Sequence, residues 1–288
     1  MGRTIRPMDE TSNNPSGASS GASSGRPVTR PFPTTRIQGT EAIRVDDPVA
    51  VETVVTFFAN DVEVATLLCS PVNIEAMAVG FLLGEGVLSG HPGELLDAVF
   101  DPGHGIVRLK VAKSVDLSPF TGERRGTLTS GCGKGQTYAF VRDVGEMQAV
   151  AACPPLSAKA IAGRIRTFMH MSDTYRDTGG VHSAMLWDGD GLEIFCEDLG
   201  RHNAVDKVFG RCLLEGIDPA GKIMLSSGRI SSEITLKCAR RRVPMIVSRN
   251  APTSFSLQLA RTLDVTLVGF VRGDRMNVYT CPERVSLP

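Results

Sequence analysis

A regular alternation of strand-like and helix-like segments, from about residue 157 to residue 280, is the feature that most constrains the fold. Short runs of Val, Ile, Leu and Met alternate there with segments whose apolar residues recur at helical spacing. This order favours an α/β fold in which a largely parallel sheet carries helices on both faces. The predicted strands are 183–187, 192–197, 222–226, 244–248, 265–271 and 276–280, and the predicted helices are 203–214, 232–241, 254–263 and one capped by Ser157.

The first half of the chain shows a different pattern, which predicts a mixed α+β domain over 37–152. Two β-rich runs at 49–58 and 62–69 indicate a hairpin, an apolar run at 74–86 indicates a buried helix, and strands are expected at 96–100 and 106–112. Residues 1–36 are predicted to be a disordered tail, because a Ser-Gly-Ala repeat followed by Pro and Arg buries too little apolar surface. The α/β domain is expected over 153–288.

Charge and cysteine content exclude several classes of protein. The 31 Lys and Arg residues balance the 31 Asp and Glu residues, so no overall field attracts nucleic acid or a membrane surface. The seven cysteines are scattered and include no Cys-x-x-Cys pair, which argues against a disulfide framework and the usual zinc sites. A reducing, cytoplasmic location is therefore expected. No apolar stretch is long enough to span a bilayer, and no signal peptide is expected.

Three connections that follow predicted strands carry arginine and predict a ligand with several phosphates. In a parallel sheet such loops share one edge, where open α/β folds bind ligands. The first two loops also precede helix N-termini, which favour anions, and arginine suits bidentate contact with phosphate. Each loop alone fits ordinary helix capping, whereas the three together favour binding. The residues assigned to this site are Arg229, Arg249, Phe270, Val271, Arg272, Gly273, Asp274 and Arg275.

Cys132 lies in a glycine-rich segment, 129–135, that reads TSGCGKG. Glycines on both sides allow positive φ and an open loop, and Lys134 favours the reactive thiolate. The same segment also fits a plain glycine turn whose cysteine packs as a small apolar side chain. The segment by itself leaves both interpretations open.

Zinc-dependent deamination is not expected from this sequence. Nucleobase deaminases combine His-x-Glu with Pro-Cys-x-x-Cys, because zinc needs three protein ligands and the glutamate moves the proton. Here His182 is followed by Ser183 and Ala184, and Cys-x-x-Cys is lacking. His182 and His202 each stand beside glycine and polar residues, and each fits a structural histidine as well as a site residue.

Six segments, in order along nearly all of the chain after residue 40, resemble the FdhD family of sulfur carriers needed to mature formate dehydrogenase. The segments are VGFLLGEG at 79–86, TGGVH at 178–182, EDLGRHNAVDK at 197–207, SSGRISSE at 226–233, SRNAPT at 248–253 and LVGFVR at 267–272.

The resemblance implies a cytidine-deaminase-like C-terminal domain with three α/β/α layers and no structural metal. It implies that a molybdenum (or tungsten) bis(molybdopterin guanine dinucleotide) cofactor is bound as cargo, whose phosphates match the arginine loops. A cysteine desulfurase would load sulfur onto Cys132 as a persulfide. The sulfur would pass to the cofactor before its insertion into the formate dehydrogenase apoenzyme. The family also implies a homodimer, and neither nucleic acid nor a membrane is an expected partner.

One position departs from the family pattern. Many members have Cys-x-x-Cys in the cysteine loop, whereas here the second position is Gly135. A persulfide needs one sulfur atom of the protein, so sulfur carriage by Cys132 is retained as the expectation. A cycle that closes a disulfide with a second loop thiol is not expected. The alternative function is that of a chaperone that binds the cofactor without moving sulfur.

Overall fold

The computed structural model describes residues 27–121, 127–128, 136–137 and 147–287. The strands in those residues are β1 Thr29–Gln38, β2 Glu41–Ala50, β3 Thr53–Ala59, β4 Val62–Cys69, β5 Leu95–Asp101, β6 Ile106–Val111, β7 Thr127–Leu128, β8 Gln136–Thr137, β9 Leu156–Ser157, β10 His182–Trp187, β11 Glu193–Asp198, β12 Ile223–Ser226, β13 Met245–Ser248, β14 Thr266–Arg272, β15 Arg275–Val278 and β16 Val285–Ser286. The α-helices are α1 Ile74–Gly84, α2 Ala158–Met169, α3 Asp173–Thr178, α4 Arg201–Leu214, α5 Ser232–Arg240 and α6 Ser254–Thr262, with short 3₁₀ turns at Ser118–Phe120 and Pro282–Arg284. The expected α/β character is confirmed.

A six-stranded mixed sheet has the strand order β11-β10-β12-β13-β14-β15. The strands β12, β13 and β14 are parallel, whereas β10, β11 and β15 join antiparallel. The Asp-Gly repeat at 188–191 predicts the hairpin that β10 and β11 form. The prediction of a largely parallel sheet is wrong where β10 joins β12 and where β14 joins β15. At the β15 end the reason is the link of two residues between β14 and β15, because a parallel crossover needs about a dozen residues.

Helices cover both faces of this sheet. Side chains alternate along each strand, so Met185 and Leu225 face α2, whereas Leu186 and Met224 join the cluster with α4, α5 and α6. The helix α2 begins where the sequence predicts, because the Ser157 hydroxyl accepts a 3.1 Å hydrogen bond from the N–H of Ala160. Its buried residues Ile161, Ile165 and Phe168 recur at helical spacing.

A second sheet, ordered β4-β3-β6-β5, packs on α1, and α1 in turn packs on α4. The two helices approach closely because glycines face the opposite backbone. A Cβ placed on Gly80 would lie 1.8 Å from the carbonyl oxygen of Asp206, and one placed on Gly210 would lie 1.7 Å from that of Ala76. Only glycine permits this approach. One continuous apolar cluster consequently extends from β3 through α1 and α4 into the six-stranded sheet.

The strands β1 and β2 form a two-stranded antiparallel ribbon in unbroken register from Thr29↔Ala50 to Gln38↔Glu41. Residues 29–36 are thus a strand, and the prediction of a disordered tail is wrong there. The prolines and arginines of this segment are atypical of a strand and hid it from the sequence prediction. Proline lacks a backbone N–H, but both strands of a two-stranded ribbon are edge strands, where a missing N–H is tolerated. The expected domain boundaries and the specific cytidine-deaminase-like architecture remain predictions.

In the part of the chain that the structure describes, the helices are too short or too polar to cross a membrane. Within the same residues, His, Cys, Asp and Glu side chains do not gather in groups of three or more that could hold a metal ion.

Candidate functional site

The loops that follow β12, β13 and β14 meet at one edge of the six-stranded sheet, as the sequence predicts for the parallel strands. Two of these loops are joined by hydrogen bonds. The Ser248 hydroxyl donates to the carbonyl of Gly228 at 2.6 Å, and the Asn250 amide donates to the carbonyl of Ser227 at 2.6 Å. These bonds fix the loop backbones, while Arg229 and Arg249 beside them extend into solvent.

The third loop is shaped by an irregularity in β14. The pairing of β14 with β15 shifts register between Gly269 and Arg272, and Phe270 takes a left-handed φ of 53°. A Cβ on Gly269 would lie 2.9 Å from the carbonyl oxygen of Asn250, so the strand passes close to the second loop. The irregularity leaves Val271 buried and Arg272 exposed.

Between α2 and these loops lies a groove of about 220 Å³, which we call the α2 groove. Four of the predicted site residues line it, namely Arg249, Val271, Arg272 and Gly273. The other predicted residues, Arg229, Phe270, Asp274 and Arg275, are not among its lining residues. The remaining lining residues come from α2 and were not expected from the sequence: Ala162, Ile165, Arg166, Met169 and His170.

A polar cluster at the start of α4 and α5 contains His182 and His202, the two histidines whose role the sequence did not decide. The His182 Nδ1 atom lies 3.1 Å from the Ser227 hydroxyl, and the His202 Nε2 atom lies 2.9 Å from the Ser231 hydroxyl. Burial lowers the pKa of His202 to about 3, and Lys237 and Arg201 reinforce the effect. Burial also lowers the pKa of His182. Both rings are therefore neutral at pH 7, and each is hydrogen-bonded to a serine.

A fully buried ion pair joins α4 to the end of β11, and both of its partners form hydrogen bonds with Ser70, which follows β4. The Lys207 Nζ atom lies 2.6 Å from Oδ2 of Asp198, and both side chains are 0% exposed. Lys207 also donates to the Ser70 hydroxyl at 2.8 Å, and the Ser70 N–H donates to Asp198 at 2.9 Å. We call these three residues the Ser70 junction. Their partners satisfy the buried charges, so the junction positions the start of α4 beside the polar cluster.

A second buried pair connects α4 with α5. The Lys237 ammonium donates to both carboxylate oxygens of Asp206, at 2.5 and 2.6 Å. Burial raises the pKa of Asp206 to about 6, although Lys237 acts in the opposite direction. The pair fixes α5, which is capped by Ser231 and carries Glu233 in its first turn, 3.4 Å from Nε2 of His202.

Cys132, the predicted sulfur-bearing residue, lies outside the described residues. Of the six cysteines that the structure describes, five are buried and Cys281 is partly exposed. Burial raises the pKa of Cys69 to about 12 and that of Cys196 to about 11. Burial likewise raises the pKa of Cys281. These raised pKa values disfavour the reactive thiolate. The described cysteines therefore offer no reactive thiol in place of the second loop cysteine, which is Gly135 here.

Comparison with known proteins identifies relatives over nearly the whole chain. A curated protein from Shouchella clausii, named sulfur carrier protein FdhD, is 38% identical over 254 residues, which cover 88% of this chain and 95% of that protein. A protein of the same name from Bacillus subtilis is 36% identical over 252 residues, covering 87% and 95%.

A solved structure agrees with these sequence matches. The crystal structure of a protein from Desulfotalea psychrophila, described as a formate dehydrogenase accessory protein, matches with a TM-score of 0.70 and 29% identity, covering 90% of this chain and 100% of that one. The model of the FdhD/NarQ family matches residues 50–286. The chain therefore belongs to the FdhD/NarQ family.

Proposed function

We propose that this protein is a sulfur carrier that accepts sulfur on Cys132 and delivers it to a guanine-dinucleotide molybdenum cofactor for the maturation of formate dehydrogenase. Membership of the family supports the class of function, because its matched relatives are named sulfur carriers. The observation that carries the cofactor assignment is the meeting of Arg249 and Arg272 in one groove at the ligand-binding edge of the sheet.

The loading step is a thiol exchange. The Cys132 thiolate attacks the outer sulfur of a persulfide on a cysteine desulfurase, the S–S bond of the donor breaks, and the donor thiolate leaves. Cys132 then holds the sulfur as a persulfide. Lys134, two residues away in the sequence, stabilises the attacking anion. The cofactor is bound as cargo, and the formate dehydrogenase apoenzyme receives it.

Intact-mass measurement after incubation with a cysteine desulfurase and cysteine tests the sulfur assignment. We expect a gain of roughly 32 Da per sulfur atom that is lost in Cys132→Ser, since a hydroxyl cannot form a persulfide. Cys281→Ser is the matched control, because Cys281 is the partly exposed one of the described cysteines. Loading that persists in Cys132→Ser, or that disappears in Cys281→Ser, contradicts the role of Cys132.

The alternative is a chaperone that binds the cofactor without moving sulfur. Gly135 in place of a second loop thiol favours it, as does the raised pKa of the described cysteines. Binding of a guanine nucleotide together with the absence of any mass gain on the wild-type chain would select this alternative.

A further inference from the structure

The ribbon formed by β1 and β2 is exposed along most of its length. Every residue from 30 to 44 is exposed. At the base of the ribbon β2 contacts α3, and a Cβ placed on Gly180 would lie 3.0 Å from that of Ala50. A two-stranded ribbon is marginally stable by itself in water, and three or more strands are needed for independent stability. Within the described residues, the ribbon lacks the further strands that would stabilise it.

The pairing of the ribbon fixes which backbone groups each strand turns outward. The N–H of Val51 donates to the carbonyl of Val28 at 2.9 Å, so these residues form a hydrogen-bonded pair that continues the register of β1 and β2. Hydrogen-bonded and non-hydrogen-bonded pairs alternate in an antiparallel ribbon. The pair Pro31↔Pro48 is accordingly non-hydrogen-bonded, which suits two residues without an N–H. The outward groups belong to residues 29, 31, 33, 35 and 37 of β1 and to residues 42, 44, 46, 48 and 50 of β2.

The two edges of the ribbon differ in what they offer to another strand. Pro31 and Pro33 occupy neighbouring outward positions on β1, so this edge lacks two donors in succession and resists pairing. On β2 the outward positions Ala42, Arg44 and Asp46 provide three N–H and three C=O groups in a row. The edge of β2 is therefore the one that is open to a further strand.

The charges on the β2 edge favour a second copy of the same edge as the partner. Arg44 and Asp46 are exposed, and neither forms an ion pair within the part of the chain that the structure describes. When two β2 edges pair antiparallel about a two-fold axis at Val45, Arg44 of each copy lies opposite Asp46 of the other. Outward groups must meet outward groups, so the neighbouring registers place Arg44 opposite Arg44 or Asp46 opposite Asp46. Opposite charges stabilise a cross-strand pair and like charges destabilise it, which selects the register centred on Val45.

The middle of the ribbon has an accessible surface at the same residues. A groove of about 440 Å³ is lined there by residues 33–35 of β1 and 44–46 of β2. Side chains alternate along a strand, so Ile43 and Val45 lie on the face opposite to Arg44 and Asp46. In the selected register the two Val45 side chains lie beside each other, and the pairing covers apolar surface as well as joining charges.

We propose that two copies of this chain associate through the edges of β2 and form a continuous four-stranded sheet with the order β1-β2-β2-β1. The interface is the same on both copies, as a two-fold axis requires. At its centre the backbone N–H and C=O groups of Arg44 in each copy pair with those of Asp46 in the other. The inference is independent of the proposed function, since it uses neither Cys132 nor the α2 groove.

Analytical ultracentrifugation of the full chain over a range of concentrations tests the pairing. The wild type should form a species of twice the 30.8 kDa mass of one chain. Arg44→Asp and Asp46→Arg each place like charges opposite each other on both sides of the axis, so each should raise the dissociation constant by roughly 10- to 100-fold. The double variant exchanges the two charges and restores opposite charges across the axis. It should associate like the wild type.

A pair of proline variants tests the edge through its backbone. Arg44→Pro removes an outward N–H of β2 and should weaken association. Thr35→Pro is the matched control, because Thr35 lies opposite Arg44 in the ribbon and turns its N–H to the other edge. This control should associate like the wild type.

Several results would overturn the proposal. A wild type that stays monomeric at every concentration excludes self-pairing and leaves the β2 edge to a strand of another protein. Single charge variants that associate as tightly as the wild type place the interface elsewhere. A double variant as weak as the single variants removes the Arg44–Asp46 register, and a Thr35→Pro variant as weak as Arg44→Pro removes the assignment to the edge of β2.

Discussion

The close contact of α1 with α4 gives a prediction whose size follows from the structure. In Gly210→Ala the new Cβ would lie 1.7 Å from the carbonyl oxygen of Ala76, where real contacts of this kind stay beyond 3.0 Å. The obstacle is backbone and cannot rotate away, so the two helices must separate by more than an ångström. Overpacking of this kind typically costs about 1–3 kcal/mol, and a rigid obstacle places it at the upper end.

Helix propensity acts in the opposite direction and must be subtracted. Alanine is favoured over glycine inside a helix by up to about 1 kcal/mol. The expected net loss for Gly210→Ala is therefore about 2 kcal/mol of unfolding free energy. Gly163, in α2, is the matched control, because a Cβ there would meet no atom within 4 Å. Gly163→Ala should leave stability unchanged or raise it by up to about 1 kcal/mol, so the two variants differ by about 2–3 kcal/mol.

Urea unfolding measures this difference. The single tryptophan, Trp187, is 5% exposed and reports on the six-stranded sheet by fluorescence. The midpoint of Gly210→Ala should lie below that of the wild type, and that of Gly163→Ala at or above it. Equal midpoints for the two variants would refute the reasoning, since helix propensity alone predicts the same sign for both.

Two further predictions concern buried charges. Lys207→Met leaves Asp198 buried without its cation and should lower the free energy of unfolding in urea by about 3–5 kcal/mol. The control Arg242→Met breaks an exposed pair with Asp218 and should lower it by at most about 1 kcal/mol. Equal losses for the two variants would contradict the importance of burial at the Ser70 junction. In the folded protein His202 has a pKa of about 3 and stays neutral, whereas in the unfolded chain its pKa is about 6.5. The stability that neutral His202 contributes is therefore present above about pH 6.5 and is lost as the pH falls from about 6.5 to about 3. His202→Gln should reduce the loss of stability between about pH 7.5 and about pH 5, and an unchanged pH dependence would count against this assignment.

Periodicity predicted most elements of the second half because those segments are amphipathic or bounded by turns. The helix α2 illustrates this, with Ser157 as its cap and Ile161 and Ile165 on its buried face. The helix α3 was missed, since its six residues are polar and carry no apolar period. The ribbon of β1 and β2 was missed because pairing between two weak strands, not local propensity, stabilises it.

The candidate site was predictable only where neighbouring loops supply it. Arg249 and Arg272 follow strands, and strand ends share an edge, so their proximity could be inferred. Arg166 belongs to a helix far away in the sequence, where an exposed arginine is usual. The available signal was that Arg166 and His170 are four residues apart beside the apolar Ile165 and Met169. The Ser70 junction gave no local signal, because Ser70 is 128 residues from Asp198 and 137 residues from Lys207.

The apolar cluster that runs through α1 makes the two sheets interdependent during folding. Because α1 has buried residues on almost all sides, each sheet lacks part of its covering layer until the other has formed. Contacts between residues so distant along the chain form slowly, since a long loop must close before they are gained. A nascent chain that ends before α4 therefore leaves the α4-facing side of α1 exposed, and this side is covered only when the second half arrives.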